Sequence, residues 1–151
     1  MTTKRNNVVS SSYGSREYPN RAKNTINAGD MVYVDQTTYD IKALDSDAHA
    51  AYFCGTSNDT YPVAAYSPEG APYYGMNVGR LDRRNFYLKS GTTVNPGQAV
   101  YWGGDAQTVT DSASGANTHS VGTVANLPDG TQIALVGTGT NVVQVDVVAV
   151  L

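Results

Sequence analysis

Asn27-Ala28-Gly29-Asp30-Met31-Val32-Tyr33 returns later in the chain as Asn95-Pro96-Gly97-Gln98-Ala99-Val100-Tyr101, in the shared frame N-x-G-x-x-V-Y. In each copy the glycine can take a turn conformation closed to other residues. It then launches a strand whose Val and Tyr face opposite sides. Further on, His49 precedes Gly55-Thr56 as His119 precedes Gly122-Thr123. The common order implies a duplicated β unit, with pseudo-repeats at about 27–60 and 95–130. It also puts the two histidines in equivalent places, which favours a structural role over a catalytic pair.

Working outward, short apolar runs alternate with turn residues along the whole chain. Strands are expected at 31–34, 51–54, 62–66, 85–88, 99–102, 108–110, 120–125 and 132–136. The last run is the clearest, with Val143, Val145, Val147, Ala149 and Leu151 at every second position. Val142, Val148 and Val150 on its other face predict a strand covered on both sides, with the C-terminus tied into a sheet.

Composition agrees. The 151 residues contain 18 Val, 16 Thr, 15 Gly and 11 Tyr, against only 2 Glu and 4 Lys. β-branched and aromatic side chains suit a pleated, half-buried surface, and Gly and Asn supply its turns. The length suits one ordinary domain. The expected fold is therefore all-β, a compact barrel or sandwich built from two pseudo-repeated units. No apolar run is long enough for a membrane helix, and Met1 to Arg5 is followed by polar residues rather than an apolar leader core. Cys54, the single cysteine, lies in an apolar run and reads as a buried thiol.

Charge divides the chain in two. Residues 1–24 hold Lys4, Arg5, Arg16, Arg21 and Lys23 against Glu17, a net of +4, whereas 25–151 carry a net of −7. Lacking apolar periodicity, 1–24 read as a basic, extended N-terminal arm that contributes nothing to folding, attached to a β domain at 25–151. Arg16, Tyr18, Arg21 and Lys23 are its candidate docking residues for an acidic partner.

Catalytic signatures are missing: no nucleophile elbow, H-E-x-x-H, Walker or dinucleotide-binding loop is present. Asp45-Ser46-Asp47-Ala48-His49 lacks the glycine and distal glutamate of a calcium loop and reads as a polar turn. No cofactor, metal or catalytic residue is expected. Residues 61–79 read as an insertion between the repeats, rich in Tyr, Pro and Gly. Tyr61, Tyr66, Tyr73 and Tyr74, followed by Arg80, Arg83 and Arg84, are candidates for a subunit interface, where Tyr and Arg are enriched. An acidic body argues against direct nucleic-acid binding.

Asn85-Phe86-Tyr87-Leu88-Lys89, then Val94-Asn95-Pro96-Gly97-Gln98-Ala99-Val100-Tyr101-Trp102, then Val109-Thr110, then Val121-Gly122-Thr123-Val124-Ala125 resembles a family of phage capsid decoration (cement) proteins. There a G-V-F-x-L-P-K stretch precedes G-D-A-V-Y-W, a V-T strand, a V-G-x-A strand and a Val-rich C-terminal strand. Gln98 replaces the usual Asp, and Asn85 stands where Gly-Val is expected. The resemblance implies a non-enzymatic virion protein, made in the host cytoplasm, that decorates the outer surface of an icosahedral capsid. It would stabilise the shell by bridging subunits of the major capsid protein, as a homotrimer or alternatively a dimer. A carbohydrate- or receptor-binding module of a phage tail fibre is the alternative, and a small hydrolase a third.

Overall fold

Two sheets share one strand order. A computed structural model describes residues 15–62, 75–112, 119–130 and 135–151. The strands are β1 (Ser15–Pro19), β2 (Met31–Val34), β3 (Ile41–Ala43), β4 (Phe53–Ser57), β5 (Gly75–Gly79), β6 (Arg83–Leu88), β7 (Thr93–Val94), β8 (Ala99–Trp102), β9 (Thr108–Thr110), β10 (Gly122–Val124), β11 (Leu135–Val136) and β12 (Val142–Val147). The fold is all-β, and a 3-10 turn at Ala48–Tyr52 is the sole helical element among the described residues. The first sheet runs β1-β5-β4-β2-β3, and β6-β12-β10-β8-β9 forms a closed barrel.

Registers show that these are two copies of one unit. Val32 pairs with Gly55 as Val100 pairs with Gly122, and Thr56 pairs with Gly79 as Thr123 pairs with Asp146. Likewise Tyr18 pairs with Met76 as Phe86 pairs with Val143. The sequence offset is constant across β1/β6, β2/β8 and β3/β9, and one residue shorter across β4/β10 and β5/β12. Even the isolated Ile26–Tyr61 bridge has its counterpart in the β7–β11 pairing of Val94 with Leu135. The repeated motif opens both copies alike. Gly29 and Gly97 lie at φ +90° and +84°, and the side chains of Asp30 and Gln98 accept the backbone N–H of Asn27 and Asn95. The repeat therefore spans nearly all of 15–147, more than the 27–60 and 95–130 expected. His49 and His119 do not match: His49 sits in the 3-10 turn, and His119 lies three residues before β10.

The copies differ at one seam. In the second, β6 pairs in parallel with β9 and closes the barrel, Tyr87 N–H donating to Gln107 C=O and Lys89 N–H to Val109 C=O, both at 2.9 Å. In the first, Pro19 stands in Tyr87's place and has no N–H to donate. Side chains bridge that seam instead. Asp40 accepts Arg21 Nε at 3.1 Å and Ala22 N–H at 2.7 Å, and Asn24 Nδ2 donates to Ile41 C=O at 3.0 Å. Asn20, at the position of Leu88, is fully buried, and its amide bonds Asn24 on both its N–H and C=O.

The core follows the duplication. Tyr18, Ile26, Val32, Val34, Ile41, Cys54, Met76 and Val78 fill the first unit. Their counterparts Phe86, Val94, Val100, Trp102, Val109, Val121, Val143 and Val145 all belong to the second cluster. Met31, Tyr33 and Phe53, on the other face of the first sheet, join that second cluster. This explains why every residue of β2 and β4 is buried.

Four expectations change. Residues 15–24 are not an arm apart from the body, because β1 pairs with β5 over its whole length and Tyr18 packs on the core; 1–14 lie outside the described residues. Within the supposed insertion 61–79, Gly75–Gly79 is β5, the counterpart of β12, while 63–74, with the strand expected at 62–66, fall almost wholly outside the described residues. The last strand stops at Val147. Beyond it, the N–H groups of Val148, Ala149, Val150 and Leu151 go to carbonyls of Val121, Arg80 and Phe53, and Val148, Val150 and Leu151 are exposed rather than covered. The run at 51–54 enters its strand only at Phe53. Ala50 N–H closes a tight turn on Asp47 C=O, and alanines are weak strand formers.

Candidate interaction surface

Most of the cations singled out in the sequence are held inside the chain. Arg21 is tied to Asp40, and Arg83 grips Asp146 in a bidentate pair at 2.7 and 3.2 Å. Arg84 reaches Asp82, Thr56 and Asn58 and so joins the two units, and Arg80 bonds the Leu151 carbonyl. Tyr18 is half-buried against the first core, and Tyr61 is fixed by its bridge to Ile26. Arg16 lies 5.7 Å over the Tyr18 ring. Among the described residues Arg16, Lys23 and Lys89 are exposed and form no ion pair with a carboxylate. Tyr66, Tyr73 and Tyr74 lie outside the described residues.

Sequence reasoning passed over the outward face of the second unit. Along β6, Arg83, Asn85 and Tyr87 point away from the core, and their partners on β12 are Asp146, Gln144 and Val142. The result is a ladder of an ion pair, an amide pair and an apolar pair across two strands. Beside it runs a groove of about 220 Å³ lined by Ala28, Gly29, Asn85, Tyr87, Gln107 and Val142. Gln107 Nε2 donates to the buried carboxylate of Asp30 at 2.9 Å, which fixes the groove's far wall. The alternation Arg83, Asn85, Tyr87 is the signal that could have revealed it.

A second patch is apolar. Leu81 is 61% exposed and Val148 52%, with Val150 and Leu151 beside them in the C-terminal run.

Other chemistry is muted. Cys54 is buried, and burial pushes its thiol up to about 12. His49 stacks on Tyr33 at 4.3 Å between ring centres and meets Asp45 at 2.5 Å. Burial first, then the Asp45 charge, raises the Tyr33 phenol above its ordinary value. Lys42 bonds Asp35 at 2.7 Å and holds that carboxyl well below the usual range. No group of three or more His, Cys, Asp or Glu suited to a metal ion occurs among the described residues. The chain matches no known protein-family model and no curated protein.

Proposed function

We propose that this chain is a structural virion protein that decorates the outer surface of an icosahedral phage capsid and bridges subunits of the major capsid protein. One observation carries the reading. The sequence blocks that resemble capsid decoration proteins fall on β6, β8, β9 and β10 and the turns beside them, within the closed barrel. They thus lie together in one folded unit.

Duplication supports the same role, because two fused units give one chain two bodies that can rest on adjoining subunits. Linked contacts raise avidity without any new contact chemistry. A ligand that binds only the assembled shell stabilises it by mass action. Among the described residues, Arg16, Lys23 and Lys89 are exposed cations with no carboxylate partner that an acidic shell could engage, and such rim charges chiefly speed encounter. A homotrimer, or alternatively a dimer, would bury Leu81, Val148, Val150 and Leu151 near the 61–84 segment.

The test is co-sedimentation of the purified chain with expanded shells of the capsid protein encoded beside it, at low and high salt. Saturable uptake that raises the shell's melting temperature is expected. Shells that take up no protein at either salt would overturn the reading.

A further inference from the structure

We propose that the outward face of β6 and β12 binds a neutral saccharide, with Tyr87 as its stacking platform. Tyr87 is 43% exposed and borders both the groove described above and a neighbouring depression that adds Asn27, Asp30 and Asp105. A third depression continues from Asn85 to Gln144, Arg83 and Arg84. Together they form a track along β6. Its three depressions, about 220, 280 and 400 Å³, lie at or near the lower end of the roughly 300–1,000 Å³ of sites for drug-sized ligands, which suits one sugar ring in each.

The chemistry of the track selects the ligand. Tyr offers an apolar ring face with a polar tip, the surface that the C–H face of a pyranose covers. Asn85, Gln107 and Gln144 each carry both donors and acceptors, as vicinal hydroxyls require. Gln107 is oriented by Asp30, and its amide oxygen remains an acceptor. An anionic ligand finds little here, because Arg83 is already neutralised by Asp146 and Arg84 is held by Asp82. An added peptide strand finds only a short edge, because β6 is paired along one edge with β12 and on the other with β9 at Tyr87 and Leu88.

The first unit provides an internal comparison. At the matching positions it has Glu17, Pro19, Gly75 and Asn77 in place of Asn85, Tyr87, Val142 and Gln144. Glu17 lies so close over Gly75 that a methyl there would meet its carboxylate at 2.5 Å. The same face is thus closed in one copy and open, aromatic and amide-lined in the other.

The test titrates the full chain with maltohexaose, cellohexaose and chitohexaose, following side-chain amide signals by NMR. At least one oligosaccharide should saturably shift the amides of Asn85, Gln107 and Gln144. Tyr87→Ala, exposed and thus expected to fold as judged by an otherwise unchanged spectrum, should weaken binding about tenfold or more, while Tyr87→Phe and Glu17→Ala keep it. The proposal is overturned if none of the three sugars shifts those amides, or if Tyr87→Ala binds as well as the native chain. It also falls if Tyr87→Ala abolishes uptake by capsid shells, since the face would then be a protein contact.

Discussion

Replacing Asp40 by alanine tests how the first unit holds its N-terminal strand. Asp40 is buried, and its carboxylate accepts the Ala22 N–H at 2.7 Å and Arg21 Nε at 3.1 Å. A hydrogen bond to a charged group contributes about 1.5–3 kcal/mol. The Arg21 side chain is 57% exposed, so its ion pair adds only about 0–1 kcal/mol. The sum, about 1.5–4 kcal/mol, corresponds to a fall in melting temperature of about 3–16 °C for a chain of this length. Scanning calorimetry reads that shift. A double-mutant cycle with Arg21→Ala should give a coupling below about 1 kcal/mol, because most of the loss belongs to the Ala22 N–H. A melting point lowered by less than about 2 °C would show that the seam is held elsewhere.

Gly55→Ala and Gly122→Ala should both destabilise, because a methyl at either position lands on the partner strand's backbone, at the carbonyl oxygen of Gly79 or Asp146, and the left-handed φ of +132° at Gly55 adds strain there. Each is expected to destabilise by about 2–4 kcal/mol in urea unfolding, and a neutral result at either site would break the equivalence. Cys54, with its thiol pushed up to about 12 by burial, should resist iodoacetamide at mildly alkaline pH until denaturant is added; rapid native labelling would contradict its placement. A chain beginning at Asn24 loses β1, Tyr18 and Asn20 and leaves Met76 and Val78 uncovered. Its melting temperature should drop by more than about 10 °C, and an unchanged melt would mean that β1 adds nothing to the body.

Much of the fold was legible because strand spacing and glycine turns are local signals. The N-x-G-x-x-V-Y frame located β2 and β8 to the residue, and Gly55-Thr56 and Gly122-Thr123 do occupy matching registers. What stayed hidden was pairing. Ser15–Pro19 carries two charges and a proline and has no alternation, so nothing local marks it as a strand. Its place comes from β5, far along the chain, and from a polar seam whose parts are Asn, Asp and Arg. Charge misled for the same reason. Arg21, Arg83 and Arg84 look free in a sequence, yet each has a carboxylate partner brought by the fold. The saccharide face was missed because Asn and Gln carry no chemical motif until two strands place them side by side.

Duplication followed by divergence sets where the molecule is weakest. Both units began with the same strand order, yet only the second keeps the backbone pairing that closes it. In the first, Pro19 removes a donor, and Tyr39, at the position equivalent to Gln107, takes a left-handed backbone, φ +62°. β1 is therefore held by backbone bonds on one edge alone, while β6 is held on both. A proline on an exposed edge also discourages pairing with other chains, so the open seam does not invite aggregation. Local opening should begin there, since strands with fewer buried contacts lie at the low end of the stability range. Native-state hydrogen exchange gives the measure. Amides linking β1 to β5 should exchange through sub-global opening, at least about tenfold faster than those linking β6 to β12, the equivalent of 1.4 kcal/mol or more. Equal protection in the two ladders would mean that the side-chain seam is as strong as the strand pairing it replaces, and the first unit would be no more labile than the second.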